Sequence, residues 1–139
     1  MKAKAKSAVG RFTHAKVANA SMAICALVAA ADGTIDSSER TKTANAIAKC
    51  EELKDFDMKV LKAKFEEYAT EMDDPDFGTV NLEKVIRQVK GDEDDCRMVL
   101  ALGIIIGKAD GNFDDKEKAI CTRVAKMLGL NPLEFDLPV

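Results

Sequence analysis

The sequence contains no tryptophan, one tyrosine and one histidine. A catalytic or metal site built on imidazole would rest on His14 alone, which nearly excludes histidine chemistry, and no Ser-His-Asp set stands out in the sequence. The four cysteines, Cys25, Cys50, Cys96 and Cys121, are far apart and form no Cys-x-x-Cys pair. In apolar helical surroundings they read as reduced core thiols rather than as disulfides or zinc ligands. Glycine-rich phosphate loops and nucleophile elbows are also missing. No apolar run reaches the roughly 20 residues that cross a bilayer as a helix.

What is present fits one domain: 139 residues, 47% hydrophobic and 32% charged. That is apolar enough for a core and too apolar for a disordered chain. The net charge of −3 conceals an asymmetry. Lys2, Lys4, Lys6, Arg11 and Lys16 make the start basic, and the remaining chain is strongly acidic. An acidic body without clustered basic and aromatic readers argues against nucleic acid as ligand. The basic start, the run Met22–Val28 and the following alanines imitate a secretory signal. A similar run, Met98–Ile106, also leads into Ala-Asp-Gly deep inside the chain, so both are expected to be buried helices. The expected domain layout is a basic, flexible arm over 1–8 and a single helical domain over 9–139. The protein is expected to be soluble and cytoplasmic, without membrane insertion.

Apolar residues recur every three or four positions, and no segment shows sustained alternation, so the fold class is all-α. The pattern predicts a compact bundle of six or seven helices. They run from Val9 to Ala31, Ser37 to Cys50, Asp57 to Glu71, Val80 to Val89, Asp92 to Ala109 and Asp115 to Leu128, with a last turn opening at Asn131-Pro132. In the third helix Val60, Leu61, Phe65 and Tyr68 are expected on one buried face. Asp92-Glu93-Asp94-Asp95 suits a helix N-terminus, which welcomes negative charge.

The chain also repeats itself. Ala31-Asp32-Gly33-Thr34-Ile35-Asp36-Ser37-Ser38-Glu39 aligns with Ala109-Asp110-Gly111-Asn112-Phe113-Asp114-Asp115-Lys116-Glu117, 78 residues later. Each copy lies between two helices, giving two helix–loop–helix units, and a pseudo-twofold packing of the two is expected. Helix punctuation explains much of the motif. Gly33 and Gly111 end one helix, Asp36 and Asp114 cap the next, and Glu39 and Glu117 complete capping boxes, with Ile35 and Phe113 as staples. Punctuation does not explain Asp32 and Asp110, carboxylates at the negative end of a helix dipole, where a cation would be better by about 0.3–1 kcal/mol. With Gly33 at the sixth position of a calcium helix–loop–helix loop, Asp32, Ile35, Asp36 and Glu39 fall at the fifth, eighth, ninth and twelfth. The first half of such a loop is absent. Two half-loops brought together could share one cation site or form adjacent ones on hard oxygen ligands, calcium first and magnesium second. Lys108 beside Asp110 weakens the second half-site.

The Ala-Asp-Gly-x-apolar-x-x-x-Glu element, at Ala31–Glu39 and again at Ala109–Glu117, resembles the tellurite-resistance TerB family. The same domain type occurs in DnaJ-like co-chaperones of the DjlA kind. The likeness runs from Ala8 to Leu130. It implies an all-helical cytoplasmic protein linked with resistance to tellurite, other stresses, phage and colicin, recruited to the inner face of the membrane by an integral partner, TerC. It also implies divalent-metal binding by an acidic cluster. On matching positions this designates Asp32, Glu39, Asp110 and Glu117 as principal ligands, with Asp36 and Asp114 supporting them. The resemblance brings no established reaction.

Three functions follow as expectations. The first is a non-enzymatic stress-response module that binds a divalent cation through its duplicated acidic loop and acts as an adaptor. The second is a metal-independent interaction domain in which the motif only caps helices. The third, thiol chemistry on tellurium oxyanions, needs an accessible low-pKa cysteine beside positive charge. Cys25 and Cys121 lie in apolar sequence and Cys96 follows four carboxylates, so the third class is set aside.

Overall fold

A computed structural model describes the backbone of residues 2–109 and 111–139, and the side chains of 15–109 and 111–139. The basic arm expected over 1–8 and candidate ligand Asp110 lie outside the residues described in full. Six α-helices follow in order: α1 (Lys2–Ala29), α2 (Ser37–Lys49), α3 (Met58–Glu71), α4 (Pro75–Arg87), α5 (Glu93–Ala109) and α6 (Asp115–Met127). Short 3₁₀ turns at Glu51–Leu53 and Pro132–Phe135 complete the chain, and no strand occurs among the described residues.

The run that imitates a secretory signal is the centre of the bundle. From Ala20 to Val28 every residue of α1 is buried, on all faces of the helix. Such a helix must be covered on every side, and α1 contacts α2, α3, α4, α5 and α6. Alanines at 18, 20, 23 and 26 let these neighbours approach closely. At Gly103 of α5, a Cβ would lie 2.6 Å from the Ile24 side chain of α1. The two helix–loop–helix units, α1–α2 and α5–α6, pack mainly through α1 against α5. The cross contacts α1 with α6 and α2 with α5 are the reciprocal pair that a pseudo-twofold relation requires.

Two expectations are corrected. Helix α4 begins at Pro75, five residues before Val80, with the Asp74 carboxylate accepting from the Phe77 amide at 3.4 Å. The proline that ends α3 also starts α4, since a missing N–H is harmless in a first helical turn. Val60 is 49% exposed and leaves the buried face to Leu61, Phe65, Tyr68 and Ala69. The last turn at Asn131-Pro132 is present, with the Asn131 side chain capping Leu133 at 3.0 Å.

Candidate cation cleft between the repeated loops

The two loops share one backbone plan. Gly33 N–H donates to the Ala30 carbonyl at 2.8 Å, and Gly111 N–H to the Lys108 carbonyl at 2.9 Å. Both glycines have positive φ, +131° and +82°, in a region that side chains disfavour. Asp36 and Asp114 then cap α2 and α6 from nearly identical extended conformations, φ −77° and −80°. Their carboxylates accept from the amides of Glu39 at 2.8 Å and Glu117 at 2.9 Å. The sequence repeat is therefore a repeat of hydrogen bonds.

The copies differ in one respect. Glu117 returns a bond by accepting from the Asp114 N–H at 3.1 Å, which completes the capping box. Glu39 makes no such return bond among the described residues, so the box expected at Asp36 is half formed. The staples behave as their pattern requires: Ile35 is buried and Phe113 packs half-buried on the core. Phe113 occupies the space a Cβ at Gly107 would take, 2.8 Å away, with Val28 of α1 close beside it. Through that contact the second loop rests on the helix that leads into the first.

The loops meet at a cleft of about 170 Å³. Asp32 and Glu39 line it from the first repeat, Asn112, Asp114 and Glu117 from the second, with Lys42 and the buried Thr43 on α2. Of the five candidate ligands among the described residues, four line this cleft. Asp36 is occupied as a cap and does not line it. Helix α1 ends at Ala29 rather than Ala31, which puts Asp32 in the turn after the helix. The Lys116 ammonium of the second repeat stands 3.6 Å from the Asp32 carboxylate. Both side chains are more than half exposed, and a water-screened pair of this kind contributes at most about 1 kcal/mol.

In kind, the donors suit a hard divalent cation: four carboxylates and an amide oxygen, with no sulfur or imidazole. Their arrangement is open. Among the described residues no three carboxylates, thiols or imidazoles gather closely enough to hold a metal ion. Sequence reasoning missed Lys116, Asn112 and Thr43. The signal for Lys116 was present, because it breaks the repeat with a charge where the first copy has Ser38.

Among known families, the model of tellurite resistance protein TerB matches residues 18–137, nearly the whole chain. The protein belongs to the TerB family. Neither a curated protein nor a solved structure matches it. TerB domains are non-catalytic, and no described helix of this TerB-family chain is long and apolar enough to cross a membrane.

All four cysteines are buried thiols, and none is in a disulfide. Burial raises the Cys50 and Cys96 thiols above their ordinary range and pushes Cys121 up to about 12. At Cys50 the neighbouring Glu52, 3.2 Å from the sulfur, adds to the effect. A nucleophilic or metal-binding sulfur must be a thiolate. The folded protein is expected to leave its cysteines unmodified by Ellman's reagent at pH 8 on the time scale of mixing. All four should react at once in guanidinium, and rapid labelling of the native protein would contradict the burial.

Proposed function

We propose that this TerB-family chain is a non-catalytic tellurite-resistance module that takes one divalent cation in the cleft between its repeated loops and acts as an adaptor for a protein partner. The observation that carries the reading is convergence. Two loops 78 residues apart in sequence place Asp32, Glu39, Asp114 and Glu117 around one cleft. A hard cation draws these carboxylates inward and takes the place of the Lys116 ammonium on Asp32. Asp110, which stands in the second repeat where Asp32 stands in the first, completes the candidate set.

Calcium suits such a site better than magnesium. Calcium accepts six to eight oxygens in loose geometry, including carbonyls and water, whereas magnesium demands a tight octahedron. The adaptor role rests on the family resemblance, which points to an integral membrane partner and recruitment to the inner face of the membrane.

Thermal unfolding of metal-stripped protein with and without calcium tests the reading. At 1 mM calcium and a dissociation constant on the order of 0.1 mM, native-state binding adds about 1.4 kcal/mol, a rise in midpoint of roughly 3–6 °C. Magnesium is expected to do less. No shift with either ion overturns the proposal.

A second reading, in which the motif is helix punctuation alone, is supported by the complete capping box at Asp114 and Glu117. Glu39→Gln separates the two. Glu39 makes no capping return bond, so both readings expect unchanged stability without metal. Only the cation reading expects the variant to lose the calcium-induced rise.

A further inference from the structure

A second concavity, of about 620 Å³, lies between α4 and α6, lined among others by Glu83, Arg87, Ala119, Arg123, Lys126 and Met127. It is an open groove on the surface rather than an enclosed cavity. Its charge is opposite to that of the chain as a whole: three cations face one carboxylate in a protein of net charge −3.

That carboxylate is already used. Glu83 is only 7% exposed, and it accepts from Arg123 Nε at 2.5 Å and Nη2 at 3.2 Å. The two-point bond fixes the guanidinium in place while leaving Nη1 without a protein acceptor among the described residues. Arg87 donates only to the Met127 sulfur, at 3.3 Å, and neither Arg87 nor Lys126 pairs with a carboxylate among the described residues. Two cations without carboxylate partners, each in the last turn of its helix, and one pre-positioned arginine thus border a groove that also offers the apolar surfaces of Ala119 and Met127.

We infer that the α4–α6 groove is the docking site for an acidic segment of a partner protein, with carboxylate side chains reaching Arg87 and Lys126 and an apolar side chain resting on Met127. The composition of the groove selects this occupant. Membrane-surface binding inserts large apolar side chains beside the basic ones, yet none of the exposed large hydrophobic residues lines the groove. Nucleic-acid single strands need aromatic platforms for base stacking, and the groove has no aromatic residue. An amphipathic acidic helix laid between two helices meets both its charge and its apolar floor.

The test uses the full chain, ¹⁵N-labelled, and a synthetic amphipathic helix of about fifteen residues carrying glutamates on one face and leucines between them. Expected are chemical-shift changes centred on α4 and α6, abolished at high salt because the contacts are charge-driven. Replacing the peptide's glutamates by glutamines should remove binding. Combined Arg87→Glu and Lys126→Glu substitution should lower affinity about tenfold or more with an unchanged circular-dichroism spectrum. Neither side chain takes part in the Glu83–Arg123 pair, and the spectrum checks that both helices are kept. A lysine-bearing peptide should then bind the reversed variant. Four outcomes would overturn the assignment: no binding, shifts centred elsewhere, equal binding of the glutamine peptide, or capture by phosphatidylglycerol vesicles in place of the peptide.

Discussion

Gly78→Ala is expected to lower the free energy of unfolding by about 2 kcal/mol, although alanine is the better helix former by roughly 1 kcal/mol. Gly78 lies in the first turn of α4, pressed against the end of α3. A Cβ there would stand 2.5 Å from the Glu71 carbonyl oxygen and 2.8 Å from the Met72 sulfur. The carbonyl belongs to the last residue of α3 and cannot rotate away as a side-chain tip could. Either α4 shifts or the α3–α4 turn opens, and overpacking of this kind costs about 1–3 kcal/mol before any propensity gain. Urea unfolding measures the difference, and a variant as stable as wild type would show that the junction has room the geometry does not indicate.

Arg123→Ala is expected to have an effect of similar size, by a different cause. It strands the Glu83 carboxylate, whose side chain is 10% exposed. Removing one partner of a buried pair costs about 3–5 kcal/mol. Arg123 is itself 67% exposed, so water partly replaces it, and about 2 kcal/mol is the expected loss. Replacing both residues with leucine should return most of that stability, since well-packed apolar substitutes for a buried pair are often neutral or better. The same urea titrations, completed as a double-mutant cycle, check this. If the double variant is no more stable than Arg123→Ala, the loss comes from packing by the arginine stem rather than from the abandoned charge.

Which features could be read from the chain follows from how local their causes are. Gly33, Gly111, Asp36 and Asp114 act within one turn of themselves, and their roles were legible from spacing. The burial of Met22–Val28 was legible too, because a run apolar on every face has no solvent side, whereas the place of α1 at the centre of the bundle was not. Pro75 was legible only in part: a proline stops one helix and starts another with equal ease, and the sequence showed the stop. Val60 fits the apolar spacing of α3, but exposure depends on which neighbours arrive, and none covers it. The pair Glu83–Arg123 joins residues 40 apart and has no local signature. The site shows the same division. The repeat announced two acidic half-loops, whereas their meeting in one cleft, and the placing of Lys116 on Asp32, depend on how α1 packs against α5 and α6.

Calorimetric titration of the metal-stripped protein with calcium tests the shared cleft most directly, because it counts ions. One cation per chain is expected, with affinity reduced about tenfold or more by Asp32→Asn in the first repeat and equally by Glu117→Gln in the second. Glutamine keeps the Asp114 capping box, so the second variant separates charge from helix capping. Two cations per chain, sensitivity to only one repeat, or no binding heat at any temperature would contradict a site built jointly by the two loops.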